Sequence, residues 1–399
     1  MVLPGVCRDR PDPSYDVVII GAGIHGLALA YELALAGVHR IAVLDKSWPG
    51  SGASGRNGEL IRSAFSSPEW CLFFEASLRR WRELSAELDY NFLLRQSGYL
   101  ILASTDEELQ GRRREIATHR KCGVETELLT DREVRRLIPA LNPEMVRGGI
   151  LQPQGGFAHH DAVVWAYLQG AAKRGVKVFS HVEVDRIESV NGSVTGVHTS
   201  HGSISCRVLV NCAGGNAGAV NTLAGVAVPL VQNRLQMIVT EPIRPFVSTA
   251  VAAPAILGYC HQTSRGEFVG GTELHGIDET ASVHGTYELL RDMATKFVSL
   301  FPVLGGVRLL RHWAGTVSQT ADFAPVIDEA SNLRNFYVNC GWVYGFMAAP
   351  ATAQLLAQYI TTGTKGRLIA PFDISRLHSG RLIAEGSLVV ANSGDGEIN

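Results

Sequence analysis

Residues 17–26 read Val-Val-Ile-Ile-Gly-Ala-Gly-Ile-His-Gly, and this stretch decides the fold. Its four β-branched residues predict a short buried strand. The helical spacing of apolar residues that follows through Leu35 predicts a helix, which Gly37 ends. Ile41–Leu44 predicts a second strand. Together these elements form a βαβ unit with a glycine-rich turn.

The glycines of this turn have the spacing Gly-x-Gly-x-x-Gly. Gly21 permits the tight turn, Gly23 lets a pyrophosphate approach the backbone, and Gly26 lets the helix pack closely on the strand. Asp45 follows the second strand, where a carboxylate hydrogen-bonds the adenosine ribose. The motif therefore predicts a dinucleotide site, with a glycine turn in another kind of α/β protein as the alternative.

The rest of the chain indicates which dinucleotide is bound. A buried strand at Val208–Val210 enters Asn211–Gly215, and another at Phe336–Asn339 enters Gly341–Gly345. These separated returns to one nucleotide domain are typical of an extended cofactor, which favours FAD. The sequence holds no second fingerprint for a nicotinamide partner, so we expect electrons to come directly from a substrate.

Composition excludes several classes of protein. The 399 residues are 46% hydrophobic and carry a net charge of −2, which argues against a nucleic-acid partner. The seven cysteines are scattered and form no Cys-x-x-Cys pair, so we predict reduced thiols in a cytoplasmic enzyme, with no disulfide framework and no metal site. The apolar stretch Val17–Leu35 is interrupted by glycines, His25 and Glu32, so we predict no membrane span.

The predicted fold class is α/β. We expect a Rossmann-like FAD-binding domain, of the kind found in glutathione reductase, and a second domain built on a mostly antiparallel sheet that holds the substrate. The FAD-binding domain is predicted to be discontinuous and to comprise residues 14–65, 145–225 and 320–370. The substrate domain is predicted to comprise residues 66–144 and 226–319, and residues 375–399 are predicted to be a flexible tail.

Four segments of the chain resemble the FAD-dependent glycine/D-amino-acid oxidase (DAO) family. They are Gly50–Arg62, Gly155–Trp165, Arg311–Pro325 and Asn339–Pro350. Within that family they are most similar to the β subunits of sarcosine oxidase and of archaeal-type proline dehydrogenase, and the likeness covers roughly residues 14–365. The resemblance implies non-covalent FAD and oxidation of a secondary amine or N-methyl amino acid, sarcosine-like or proline-like, by hydride transfer to flavin N5.

The fingerprint and the resemblance together give a set of residues expected at the FAD. These are Gly21, Gly23, Ile24, His25, Gly26, Asp45, Lys46, Ser54, Gly55, Arg56, Asn57, Gly58, Val182, Ala213, Gly214, Gly341, Val343, Tyr344, Gly345, Phe346 and Met347.

The resemblance also implies a substrate site. The family's arginine that binds the substrate carboxylate matches Arg62, and a guanidinium holds a carboxylate through two parallel hydrogen bonds. A structural ion pair at Arg62 is the alternative, and Arg56 is a nearby competitor. Tyr259, His261 and His312 are the further catalytic candidates on the substrate face, each with a structural role as the alternative.

His160 lies in the stretch Gly155–Trp165, which in sarcosine oxidase β subunits carries a histidine bonded covalently to FMN. The resemblance thus implies FMN at a subunit boundary and partner subunits of a hetero-oligomer. The alternative is that His160 caps or packs the turn before a helix.

The sequence lacks lysines that sarcosine oxidases have near the flavin, and this bears on whether oxygen is the electron acceptor. Many sarcosine oxidases have a lysine where this chain has Met347, and no lysine lies between Lys177 and Lys296. We therefore expect a dehydrogenase or a slow oxidase. A hydroxy-acid or other amino-acid dehydrogenase of the same fold, and a non-catalytic FAD-bearing subunit, are the alternative functions.

Overall fold

A computed structural model of the protein describes residues 4–272 and 282–386. Its strands are, in chain order, β1 Ser14–Ile20, β2 Ile41–Asp45, β3 Leu60–Ile61, β4 Tyr99–Ala103, β5 Glu127–Thr130, β6 Gly148–Gln152, β7 Gly156–Phe157, β8 Lys177–Ser180, β9 Val184–Val190, β10 Ser193–Thr199, β11 Gly202–Asn211, β12 Val231–Thr240, β13 Ala250–Ala253, β14 Gly258–Gln262, β15 Phe268–Thr272, β16 Leu309–Gln319, β17 Val326–Glu329 and β18 Phe336–Cys340.

The helices alternate with these strands. They are α1 Ile24–Leu35, α2 Pro68–Glu87, α3 Asp106–Cys122, α4 Asp131–Leu137, α5 His160–Lys173, α6 Ala217–Leu223, α7 Tyr287–Leu300, α8 Gly345–Thr362 and α9 Ser375–Ser379. Within the described ranges, none of the helices has both the length and the apolar composition needed to cross a membrane.

The first sheet has the strand order β17-β18-β11-β1-β2-β8, and its five strands from β18 to β8 are parallel. The ribbon β9-β10 extends the sheet from the first half of β11. Helices α1, α5 and α8 pack together on one face, and their alanine- and leucine-rich surfaces form one core with the inner side of β1 and β2. The carboxyl ends of β1, β2, β11 and β18 thus meet at one edge, where ligands bind in such sheets.

The second sheet has the strand order β16-β12-β15-β14-β13-β4-β6-β5, and all its pairs are antiparallel except β13 with β4. Its apolar face packs against α7 and neighbouring turns in a separate core. Strands β3 and β7 pair in a short antiparallel ribbon. Each of them lies in the sequence where the chain passes from one sheet to the other. The predicted fold class, a parallel nucleotide-binding sheet with a mostly antiparallel second sheet, is confirmed.

Two parts of the chain lie elsewhere than the predicted domain boundaries place them. Strand β6 pairs with β4 and β5 in the second sheet, although we assigned residues from 145 onward to the FAD-binding domain. Helix α2 packs against α8 of the nucleotide domain, although we assigned it to the substrate domain. Both depend on long-range pairing, which the local pattern of either segment does not encode.

The C-terminal segment also differs from the expectation of a flexible tail. Within residues 375–386, the side chains of Arg376, Ile383 and Glu385 are buried and anchor a segment whose other residues are mostly exposed. Arg376 makes a two-pronged ion pair with the buried carboxylate of Asp322, at 2.9 and 3.0 Å. Polar composition suggested a loose segment, but these side chains are held by buried partners. The remainder of the predicted tail, 387–399, lies outside the described residues.

Candidate active site

A cavity of about 540 Å³ opens at the carboxyl edge of the first sheet and extends to the second sheet. This volume is in the usual range for a small-molecule or cofactor site. It draws its walls from the turn after β1, the loop after β2, the end of β11 and the turn before α8. The four regions that the sequence singled out therefore meet around one space.

The turn after β1 has the close contacts that its glycines predicted. Gly21 has φ +108°, and a Cβ there would lie 2.4 Å from the carbonyl oxygen of Cys212 on the neighbouring strand. A Cβ on Gly26 would lie 1.9 Å from the carbonyl oxygen of Gly21. Gly23 lines the cavity just before the first turn of α1. The helix N-terminus, with its partial positive charge, thus borders the cavity.

Asp45 lies at the end of β2 and lines the same cavity. Its carboxylate accepts hydrogen bonds from the backbone N–H groups of Ala22 and Ser47, both at 2.7 Å. Burial raises the pKa of Asp45, and these two hydrogen bonds oppose that effect. Lys46 next to it donates to Asn216 at 3.2 Å. The carboxylate is therefore fixed in place with lone pairs left for a further donor.

The loop after β2 is held by its own side chains. Ser54 accepts a hydrogen bond from the backbone N–H of Ile24 at 2.9 Å, which joins the loop to the start of α1. Asn57 donates to the carbonyl oxygen of Ser54 at 2.6 Å. Arg56 donates to the carbonyl oxygens of Ser51 and Ala314, so it joins the loop to β16 of the second sheet.

His25 connects the turn after β1 with the turn before α8. Its Nε2 donates to the carbonyl oxygen of Gly345 at 2.9 Å, and its Nδ1 accepts from the side chain of Asn339 at 3.3 Å. Its ring also stacks on Trp342 at 4.7 Å between centroids. Burial lowers the pKa of His25 to about 4, while the bond to Gly345 opposes that effect. His25 is therefore neutral at physiological pH, with the proton on Nε2.

Most residues expected at the FAD line this cavity. The exceptions are Gly26 and Gly55, which face backbone oxygens of their own loops instead. Among the catalytic candidates, Tyr259 lines the cavity and packs its ring against Gly58. Arg62, His261 and His312 are not among the lining residues. His312 lies instead on β16, with its ring against the backbone of Gly285.

Arg62 is buried directly beside the cavity, with a relative exposure of 1%. Its guanidinium lies 3.7 Å from the ring centroid of Phe65 and 5.6 Å from those of Tyr99 and Tyr344, two residues that do line the cavity. It also donates to the carbonyl oxygen of Ala64. Arg62 thus lies among three aromatic rings, two of which form part of the cavity wall.

A buried carboxylate that the sequence analysis missed organises two of the candidate histidines. Glu59 lines the cavity at φ +65°. Its Oε1 accepts from Nδ1 of His160 at 2.6 Å, and its Oε2 lies 3.2 Å from Nε2 of His261. His261 is fully buried and packs on Phe157 at 4.2 Å between centroids. The structure therefore places His261 beside the Glu59 carboxylate, beneath the cavity wall, and not among the residues that line the cavity.

The pKa values in this network shift as the pairing requires. Burial alone would raise the pKa of Glu59, but the hydrogen bond from His160 and the contact with His261 outweigh it and hold the pKa well below its usual range. Burial alone would lower the pKa of His160, but Glu59 and then Asp161 outweigh it and raise that pKa. Glu59 is thus ionised, and its charge favours protonated His160.

One group of side chains among the described residues has the spacing to hold a metal ion. Glu59, His159 and His160 each offer a ligand atom, and these atoms lie within 4.8 Å of one another. The short hydrogen bond between Glu59 and His160, together with the bond that His159 accepts from the backbone of Ala162, already uses donor atoms of all three. The sequence predicted no metal site, and this stays a prediction.

Several lining residues have only weak signals in the amino-acid sequence. Glu59 follows the glycine-rich loop directly, and the available signal was an acidic residue next to the apolar pair Leu60-Ile61. Tyr99 begins β4, and only the pairing of β4 with β13 brings it to the cavity. Trp342 lies inside the quoted turn, and its contact with His25 depends on the distant fingerprint.

The residues present fit FAD. The glycine turn leaves room at the start of α1, a fixed carboxylate stands at the end of β2, and the turn before α8 brings a second helix N-terminus to the other end of the space. These features define a dinucleotide-dependent enzyme with its cavity between a nucleotide sheet and a second sheet.

Comparison with known proteins gives the family. Residues 16–359 match the family of FAD-dependent oxidoreductases (DAO), to which the chain belongs. The chain is 37% identical over 388 residues to a sarcosine oxidase subunit beta of Rhizobium meliloti (strain 1021), covering 96% of this chain and 93% of that protein. It is 36% identical over 393 residues to the same subunit of an Arthrobacter species, covering 96% of each.

A solved structure agrees with this family. L-proline dehydrogenase from P. horikoshii superimposes with a TM-score of 0.88 at 31% identity, covering 93% of this chain and 99% of that one. The predictions of a DAO-family flavoprotein and of an FAD-dependent oxidoreductase are confirmed.

Proposed function

We propose that the protein oxidises the carbon–nitrogen bond of a secondary amine that carries a carboxylate, such as sarcosine, another N-methyl amino acid or proline. The observation that carries this proposal is the position of Arg62, a buried cation in contact with Tyr99 and Tyr344 at the wall of the FAD cavity. The relatives named for sarcosine oxidase and proline dehydrogenase act on substrates of this class, which supports it.

Each part of the cavity has a role in this proposal. The turn after β1 and Asp45 would hold the nucleotide part of FAD, and Gly341–Met347 would hold the flavin end. When bound there, FAD would supply the acceptor for the two electrons of the oxidation. Arg62 orients the carboxylate, and Tyr259, Tyr344 and Tyr99 form a water-poor aromatic wall around the reacting carbon.

The experiment is a scan of substrates without oxygen. Purified enzyme is mixed anaerobically with sarcosine, other N-methyl amino acids, proline, primary amino acids, 2-hydroxy acids and glycerol 3-phosphate, and bleaching of the flavin bands is followed. We expect bleaching by one or more secondary amines. Bleaching by hydroxy acids alone would favour the hydroxy-acid alternative, and bleaching by none would favour a non-catalytic FAD-bearing subunit.

We also propose that the FAD is held without a covalent bond, in a cytoplasmic protein. This proposal is supported by the glycine fingerprint of the turn that borders the cavity, and by the resemblance, which matches no cysteine or histidine of this chain to a covalent FAD link. Acid precipitation should release all of the FAD into the supernatant, and FAD retained in the pellet would contradict this.

We further propose that His160 carries FMN at a boundary with a partner subunit. His160 begins α5 with a relative side-chain exposure of 17%, so it reaches the surface. Glu59 engages its Nδ1, which leaves Nε2 as the outward nitrogen, 3.5 Å from the exposed Asp161. The relatives named as β subunits support a hetero-oligomer.

The FMN proposal is tested by expressing the chain with its genomic neighbours. We expect a complex by light scattering and a peptide containing His160 that is heavier by the mass of FMN. A monomer without FMN under these conditions would end the proposal.

The electron acceptor we propose is a dye, quinone or second flavin rather than oxygen. A fixed positive charge near the flavin assists the reaction with oxygen. Met347 lines the cavity where many relatives have lysine, and Lys46, which also lines it, is bonded to Asn216 beside Asp45. Enzyme reduced without air should reoxidise slowly in oxygenated buffer. Reoxidation as fast as turnover with an artificial acceptor would restore the oxidase interpretation.

A further inference from the structure

The C-terminal segment, residues 375–386, is attached at two places, to Asp322 and to the end of the loop that carries Arg62. Arg376 and the backbone N–H of Ile383 both bind Asp322, the latter at 3.0 Å. Ile383 itself belongs to the core under α1 and α8. Beyond these contacts the segment continues to the start of α2.

Glu385 makes the second attachment and is 7% exposed. Its carboxylate accepts hydrogen bonds from the backbone N–H and hydroxyl of Ser66, at 2.7 and 2.6 Å, and from the backbone N–H of Ser67, at 2.8 Å. Ser67 is the N-cap of the 20-residue helix α2. A carboxylate at this position satisfies backbone donors and interacts favourably with the helix dipole.

The two serines end the short loop that begins at Arg62. Within it, Phe65 supplies the ring on which the guanidinium of Arg62 rests. The carbonyl oxygen of Phe65 accepts from His119 at 2.8 Å, and the backbone N–H of Ser63 donates to Gln152 at 2.8 Å. The loop is therefore fixed near its start by Gln152, in its middle by His119 and at its end by Glu385.

We propose that Glu385 is a positioning residue for Arg62, so that the C-terminal segment holds the arginine-bearing loop in the geometry that binds the substrate carboxylate. This rests on the proposed function of Arg62. Glu385 acts through the backbone of Ser66 and Ser67 and through Phe65, and it does not touch the FAD cavity. Its loss should therefore weaken recognition of the carboxylate and leave FAD binding unchanged.

The test compares a substrate found in the anaerobic scan with its carboxamide analogue. We expect Glu385→Gln to lower the ratio of kcat/KM for the acid over that for the amide by roughly tenfold, mainly through KM, because small misplacement of a binding group is costly. Ser66→Ala, which removes one of the three bonds, should lower the ratio less. FAD content should match the wild type in both.

Two reference variants make the outcomes distinct. Arg62→Lys should lower the ratio at least as much as Glu385→Gln. Glu69→Gln removes an exposed carboxylate from the first turn of the same helix and should leave the ratio within about twofold.

If Arg62→Lys leaves the ratio unchanged, the proposed role of Arg62 fails and this inference fails with it. If Arg62→Lys lowers the ratio but Glu385→Gln does not, only the inference is overturned. If Glu385→Gln does not yield folded, FAD-containing protein, an unchanged ratio in Ser66→Ala overturns the inference in the same way.

Discussion

The two ends of the cavity are built by different means. At the nucleotide end, the arrangement depends mainly on backbone groups. Gly21 and Gly26 allow contacts that no side chain would permit, and neutral His25 binds the backbone carbonyl of Gly345. At the substrate end, side chains hold one another, as Glu59 holds His160 and His261. The same residue type, histidine, has a lowered pKa at one end and a raised pKa at the other. A buried histidine is thus neutral where burial is the dominant effect, as at His25, and has a raised pKa where a carboxylate outweighs burial, as at His160.

The largest effect is expected from Gly26→Ala at the nucleotide end. The new Cβ would lie 1.9 Å from a backbone oxygen, which cannot rotate away. We therefore expect the free energy of unfolding to fall by about 3 kcal/mol or more, and the purified variant to contain little FAD. FAD content and thermal unfolding measure this. Gly218→Ala, in α6 with no heavy atom within 4 Å of its Cβ, is the control and should behave as wild type. Full FAD content in Gly26→Ala would show that the turn is less rigid than described.

Glu59→Gln tests the substrate end. Removing this charge leaves two histidines without their ionised partner, so we expect the free energy of unfolding at pH 6 to fall by about 3 kcal/mol. The pKa of His160 is raised in the folded protein, so its contribution is full below about pH 6.5 and is lost as the pH rises through its folded value. The pKa of Glu59 is lowered, so its contribution is lost only in acid. The destabilisation should therefore be smaller at pH 9 than at pH 6.

The control for this variant is Asp161→Asn. Asp161 lies 3.5 Å from the other nitrogen of His160, but its side chain is 57% exposed, so the change should be under about 0.5 kcal/mol. Equal effects of the two substitutions, measured by denaturant unfolding, would contradict the central role of Glu59.

The smallest effect concerns His25 and has the opposite dependence on pH. Its pKa is about 4 when folded and 6.5 ordinarily, so the unfolded chain takes up this proton first as the pH falls. Its share of stability is present above pH 6.5 and declines by about 2 kcal/mol between pH 6.5 and pH 5. His25→Asn should therefore flatten the loss of stability over that interval. An unaltered slope would mean that His25 is not kept neutral by its surroundings.

The contrast between the two ends also explains what the sequence could predict. The glycine spacing and Asp45 are local requirements of one turn and one strand end, so a single sequence can display them, and Gly21, Gly23 and Asp45 indeed line the cavity. His261 was misplaced on the substrate face because its partner Glu59 comes from a loop far away in the chain. The packing of Arg376 and Glu385 was missed because polar composition alone suggested a loose segment. Side-chain networks between distant segments have no periodicity that a single sequence displays.

The bond between His25 and Gly345 joins residues 320 positions apart, and it bears on how the protein is made. The fingerprint is synthesised before two strands that its sheet needs, because β11 pairs with β1 and β18 pairs with β11. Until β18 has left the ribosome, the edge of β11 that pairs with it is without its native neighbour. Such late, non-local pairing slows folding and exposes strand edges to aggregation. Newly made chains should thus depend on chaperones, and on a supply of FAD at the end of synthesis, more than their final stability would suggest.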